Sequence, residues 1–353
     1  MNDAEALRTV AALATLPRGT TALLDWCSGI ARIDATMDEF AALRARLNNE
    51  EPVPVADAPL LEAVSHEAIH YLQICTMGFL YQFAVELLHA IIAVVPKNLE
   101  DGHAFVSLDP SELQAQLEPH ARALIERIDL PAAGGVTVRA LAESHAYYAQ
   151  KLHHWKNFEP DAMLAILADA PGDDYRMAFL IAYDRLGHDA FATFPLLAAL
   201  ALCTTAPQIA FTNLCDAAAR ERLIVGTEPF DFPVLAQALA AHAGCGFYGT
   251  ADVVARSWEK KHVVYSPTIQ RLSELDQSAF SIPRFFVHPG AISVELSAVA
   301  TPILFLNVST SGDLPLVVPA GFWANDMVEG FTPNAQQMCL LWLIGSRILR
   351  SHG

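Results

Sequence analysis

The chain has 353 residues, enough for one large domain or two ordinary ones with a sizeable core. Hydrophobic residues make up 53% and charged residues 17%, a balance that excludes a disordered chain. A net charge of −17 argues against a nucleic-acid backbone or an anionic membrane surface as partner.

The six cysteines are scattered and form no C-x-x-C pair, so they read as reduced, mostly buried thiols of an intracellular protein. Met1-Asn2-Asp3-Ala4-Glu5 lacks the basic region of a signal peptide, and a cytoplasmic address is expected. Residues 190–215 carry no charge, a length that could span a bilayer. Pro195, Pro207 and the polar Thr204, Thr205, Gln208, Thr212 and Asn213 favour two buried core helices, broken near Pro207.

In chain order, apolar spacing predicts helices over 4–16 and 37–47, joined by a Pro17-Arg18-Gly19 turn and a less regular segment. Glu50-Glu51-Pro52-Val53-Pro54 reads as a linker. Asp57 can cap a helix with Pro59 in its first turn, running to about Gly78, and a second apolar helix follows to Pro96. Asp109-Pro110-Ser111-Glu112 has the form of a helix start, and that helix ends before Pro131. Thr137 is the cap expected for a helix over 138–154. Further helices are predicted over 161–168, 173–186, 191–204, 208–223, 267–280 and 333–350. Short strands are expected at 285–287, 291–296, 303–308 and 314–318.

The predicted helix after Asp57 carries Ser65-His66-Glu67-Ala68-Ile69-His70-Tyr71-Leu72-Gln73, which contains H-E-x-x-H. Histidines four apart stand one turn above each other, so both imidazoles can reach one metal ion. Glu67 lies about 100° round the helix, where a carboxylate can work on a water at that metal. A catalytic zinc takes three protein ligands and keeps a position open. The longer pattern with a third histidine fails, because Gln73 and Thr76 stand where it requires glycine and histidine.

A second stretch, Ala140-Leu141-Ala142-Glu143-Ser144-His145-Ala146, follows on a later helix. Together with His66, Glu67 and His70 it resembles the gluzincin branch of zinc metallopeptidases, the thermolysin-like enzymes. The resemblance covers these two helices only. It implies that Glu143, with Ala146 three residues on, supplies the third metal ligand. It also implies hydrolysis, with Glu67 taking a proton from water and delivering it to the leaving group.

Helix geometry adds neighbours. Tyr147 and Gln150 share the face of Glu143 at i+4 and i+7, which makes Tyr147 a candidate donor to a developing oxyanion. His145 sits about 200° from Glu143 and is expected to point away from the metal. Gln73 shares the face of His66 and suits a contact to a ligand or to substrate, as does Gln150. His153 and His154 are further candidates.

Competing patterns exist. Glu86-Leu87-Leu88-His89 is a second E-x-x-H, and two such motifs mark di-iron carboxylate bundles. Only nineteen residues separate it from the first, so a di-iron site would need a bend near Gly78. Two histidines and a carboxylate also describe a non-haem Fe(II) oxygenase site, although such sites usually sit on a β-barrel. Gly244-Cys245-Gly246, Lys260-Lys261-His262 and His288-Pro289-Gly290 read as a turn, a solvated basic face and a turn.

The expected architecture is mainly α, a zincin-like helical metalloenzyme with a small mixed α/β segment near 284–320. Residues 1–56 would form an N-terminal helical segment and 57–225 the metal-site helical domain. Residues 226–353 would complete the core and the cleft. The expected activity is a zinc-dependent hydrolase acting on a peptide or amide-containing small molecule, with no nucleic-acid or membrane partner. The alternative is an Fe(II)-dependent oxygenase or tailoring enzyme using the same His-His-Glu set.

Overall fold

The computed structural model describes residues 22–25, 30–87, 110–132, 135–154, 159–221, 239–248, 303–306 and 316–318. Among them the fold is mainly α, as the apolar periodicity predicts. The described residues fall into two units. One is drawn from Met1–Tyr71, Phe83–Ile125 and Ala300–Gly353, the other from Leu72–Gln82 and Glu126–Val299.

The first unit holds a four-stranded sheet in the order β1 (Ala22–Asp25), β2 (Ile30–Ile33), β3 (Ile303–Leu306) and β4 (Leu316–Val318). β1 and β2 form an antiparallel pair, β2 runs parallel to β3, and β3 is antiparallel to β4. Strands β3 and β4 fall within the segments predicted from sequence. Strands β1 and β2 occupy the stretch expected to be irregular. Four-residue strands carry too little alternation to be recognised, and the parallel partner of β2 lies far along the chain. Ala31 and Ile33, two apart on β2, are both fully buried, as one face of a pleated strand requires.

Helix α1 (Met37–Asn48) starts at a capping box: Glu39 donates its backbone N–H to the Thr36 hydroxyl, and the Glu39 carboxylate accepts from Thr36 N–H at 2.8 Å. Those bonds hold the Glu39 carboxyl below its usual range. Its inward face buries Phe40 and Leu43. After the extended Pro52–Pro54 linker, a short turn (Val55–Asp57) leads into α2 (Ala58–Thr76), the H-E-x-x-H helix.

Helix α2 contributes Leu72–Thr76 to the second unit. Met77 breaks it, and a helical run resumes over 78–87. Helix α3 (Pro110–Asp129) begins at the proline the sequence points to. Helix α4 (Val138–His154) opens where Ala140 N–H donates to the Thr137 hydroxyl, the cap expected from sequence. Then come α5 (Pro160–Ala168), a single turn at Asp173–Tyr175, α6 (Met177–Leu186), α7 (Ala190–Leu202) and α8 (Pro207–Glu221).

Helix α4 packs against the Asp173–Tyr175 turn, α6 and α7, and α7 packs on α8. Helix α7 is apolar on every side, and all but Ala192 of its thirteen residues are buried. The uncharged stretch 190–215 is therefore two core helices with a break before Pro207. No helix among the described residues is long and apolar enough to cross a membrane. The core of this unit is aromatic: Tyr148 stacks on Phe179 with centroids 5.2 Å apart and meets Phe194 edge-on. Each such fully buried ring contributes roughly 1.5–3 kcal/mol.

The Ser144 hydroxyl ties this unit together, donating to the Asp174 carbonyl at 2.7 Å and accepting from Ala178 N–H at 3.1 Å. It thereby satisfies one of the amides that the first turn of α6 leaves without a helical partner. Residues 239–248 lie along the end of α7, where Thr205 N–H donates to the Gly246 carbonyl and Tyr248 N–H to that of Cys203. Tyr248 packs so closely on Gly78 that a Cβ added there would meet the tyrosine Cβ at 2.5 Å. Only glycine fits that position.

The helices expected over 4–16, 267–280 and 333–350, the strands over 285–287 and 291–296, and the end of the helix expected to run to Pro96 lie outside the described residues. Lys260-Lys261-His262 and His288-Pro289-Gly290 do so as well.

Candidate metal centre

Helix α2 carries buried polar side chains on several sides: Ser65, Glu67, His70 and Gln73 are buried and His66 is half-buried. Burying polar groups on a helix costs several kcal/mol unless they find partners, and the two histidines and Gln73 do. The Nε2 atoms of His66 and His70 stand 3.0 Å apart, with the rings edge to face. Two lone pairs cannot face each other at that distance without a proton or a cation between them. Two imidazoles on one tetrahedral zinc, with Zn–N bonds of about 2.0–2.1 Å, would place their nitrogens about 3.3 Å apart.

Glu143 of α4 completes the group. One ligand atom from each of His66, His70 and Glu143 all lie within 4.8 Å of one another. Among the described residues no other set of three His, Cys, Asp or Glu side chains is so arranged. The donor chemistry fits a divalent cation, since two imidazoles and one carboxylate are a catalytic zinc set that leaves a position open.

Glu67, the residue between the histidines, is 5% exposed. Gln73 is fully buried, and its Nε2 donates to the Ala142 carbonyl at 3.0 Å and faces Nδ1 of His145 at 2.9 Å. His145 is not part of the three-ligand group, as its angle on the helix implies. Tyr147 is buried, its ring edge-on to Tyr175 and capped by the Lys151 ammonium 5.2 Å from the centroid. Gln150 is buried. The side chains of His153 and His154 lie outside the described residues, as does His89, and Glu86 is half-buried on the helical run 78–87.

Two charged neighbours of Glu143 escape sequence reasoning. Arg139 stands one turn earlier on α4 and forks onto Asp129 at 2.7 and 3.0 Å. That bond, helped by the charges of Asp129 and Glu143, raises its pKa against the cost of burial. Asp174, on the turn held by Ser144, has its carboxyl pushed up by burial first and by the negative charge of Glu143 second, with Arg139 pulling it back. The i, i+4 spacing of Arg139 and Glu143 could have revealed the first neighbour. No local signal points to Asp174, which arrives from a separate element.

No family model, curated protein or solved structure matches this chain.

Proposed function

We propose that this protein is a metal-dependent hydrolase that cleaves an amide or peptide bond, with His66, His70 and Glu143 as ligands of one zinc ion. The observation that supports this most is the convergence of those three side chains from two helices, with the histidine nitrogens 3.0 Å apart. A divalent ion held by these residues would supply Lewis acidity towards a substrate carbonyl and would lower the pKa of water from about 15.7 to about 7.

The chain's own groups do the rest. Glu67 accepts a proton from the attacking water as the carbon–oxygen bond forms. It then delivers that proton to the amide nitrogen as the carbon–nitrogen bond breaks. Burial of Glu67 keeps competing water from its carboxylate. Tyr147 is the candidate donor to the carbonyl oxygen, on the face it shares with Glu143. The substrate class that follows is a peptide or an amide-containing small molecule, and the proposed address is cytoplasmic. The same two histidines and one carboxylate also describe a non-haem iron site, which makes an Fe(II)-dependent oxidative enzyme the second reading.

Elemental analysis of purified protein, combined with oxygen-uptake measurement and an assay on a fluorogenic peptide pool, separates the two. One zinc per chain, amide cleavage and no oxygen consumption are expected. Glu67→Gln should keep its metal and lose cleavage, whereas Glu143→Gln should lose metal. Iron with oxygen turnover would overturn the hydrolase.

A further inference from the structure

We propose that Gln73 is a positioning residue whose amide, held between the Ala142 carbonyl and Nδ1 of His145, fixes the register of α2 along α4 and so sets the reach of His70 to Glu143. This rests on the metal-site reading above and adds to it the device that holds the two ligand-bearing helices in step.

Hydrogen-bond chemistry fixes the orientation of the amide. A backbone carbonyl only accepts, so the atom 3.0 Å from the Ala142 oxygen must be the NH2 nitrogen and not Oε1. The same nitrogen is 2.9 Å from Nδ1 of His145. Both of its hydrogens are then committed, one to each partner. Nδ1 must be the acceptor, and the ring proton of His145 sits on Nε2.

That arrangement leaves Gln73 with no amide hydrogen to offer a substrate. It is fully buried, as is His145, and its amide donors are spent inside the protein. Position gives it a different role. Gln73 lies three residues after His70, about 4.5 Å further along α2. Its two partners, Ala142 and His145, bracket Glu143 on α4. Gln73, Ala142 and His145 all belong to the second unit. The clamp is therefore within one helical turn of a ligand on each helix. Apolar side chains alone would permit small slides of one helix on another, because dispersion contacts are numerous and non-directional. A donor shared between two fixed acceptors does not permit them. Metal ligation tolerates only about 0.2 Å in bond length, so such a clamp bears directly on affinity. Hydrogen-bonding partners that orient metal ligands typically change affinity by 10–100-fold when removed.

The test is zinc affinity of the full-length chain, measured by chelator competition, with the cobalt(II) absorption spectrum of each variant as a second readout. Gln73→Met keeps length and removes both donor hydrogens. His145→Leu removes one acceptor. His145→Asn places a side-chain oxygen close to where Nδ1 stood. Zinc binding is expected to weaken 10–100-fold in Gln73→Met and His145→Leu, with an altered cobalt spectrum. His145→Asn should return to within threefold of the parent. If Gln73→Met does not fold, the leucine and asparagine pair at 145 carries the comparison. Equal affinity in all variants would overturn the proposal, as would an asparagine variant no better than leucine. The metal-site reading fails separately, by a parent chain that binds no zinc or by a His70→Ala variant that binds as tightly as the parent.

Discussion

The Tyr148 hydroxyl donates at 2.6 Å to the carbonyl of Phe191, the one carbonyl in α7 that Pro195 leaves without its i+4 amide. A proline inside a fully buried helix would otherwise strand an acceptor in an apolar core. Burial pushes the Tyr148 pKa well up, so the hydroxyl keeps its proton and stays a donor. Tyr148→Phe should therefore cost about 1–3 kcal/mol. In a Pro195→Ala background, where the backbone regains an N–H to serve that carbonyl, the same change should cost clearly less. A thermal or urea double-mutant cycle reads the coupling, and additive effects would refute the pairing.

Zinc should stabilise the parent chain in proportion to its occupancy of the His66–His70–Glu143 group. At a free concentration 100 times the dissociation constant the gain is about 2.7 kcal/mol. Thermal scans with and without zinc should show the shift in the parent and not in His66→Ala or His70→Ala. Chelation should return the parent to its metal-free Tm.

At Gly78 two principles oppose each other. Alanine at the start of the helical run 78–87 should gain up to about 1 kcal/mol in helix propensity. The new Cβ would meet the Tyr248 Cβ at 2.5 Å, an overpacking that costs about 1–3 kcal/mol. Gly78→Ala should thus lower the Tm. Tyr248→Ala should not rescue it, because alanine keeps the offending atom, whereas Tyr248→Gly should.

Burial pushes the Cys203 thiol up to about 11, with the Gly78 amide opposing, and the Cys215 thiol to about 12, with Arg185 opposing. Their ordinary value is 9.0, so above about pH 9 the unfolded chain loses protons that the folded chain retains. Stability should fall as pH rises from about 9 towards 11–12, with no contribution from these two groups below that window. Cys203→Ala with Cys215→Ala should flatten the alkaline limb of the stability profile. Iodoacetamide at pH 8 should leave the buried Cys215 thiol unmodified until denaturant is added.

Much of the helical fold is legible in the chain because its helices are punctuated. Pro110, Thr137, Pro160 and Pro207 stand in the opening turns of α3, α4, α5 and α8 or just before them, where a missing N–H or a hydroxyl cap suits the first turn. The i, i+4 spacing of His66 and His70 also translates directly into neighbouring nitrogens. What spacing does not carry is tertiary partnership. Nothing near Gln73 reveals that its amide reaches His145, and nothing near Glu143 reveals Asp174. Strands β1 and β2 escape sequence reading for the same reason: a four-residue strand is defined by what pairs with it.

The parallel pairing of β2 with β3 has a consequence for how the chain is made. Ile33 and Ile303 belong to neighbouring strands although about 270 positions separate them. An isolated hairpin such as β1–β2 is marginal in water. On a ribosome its outer edge must wait on the order of tens of seconds for β3 to emerge. During that interval the helices of the second unit, whose contacts are nearer in sequence, can already pack. The sheet is thus a late event in synthesis, and its unpaired edge is where a stalled chain would be open to association with other strands.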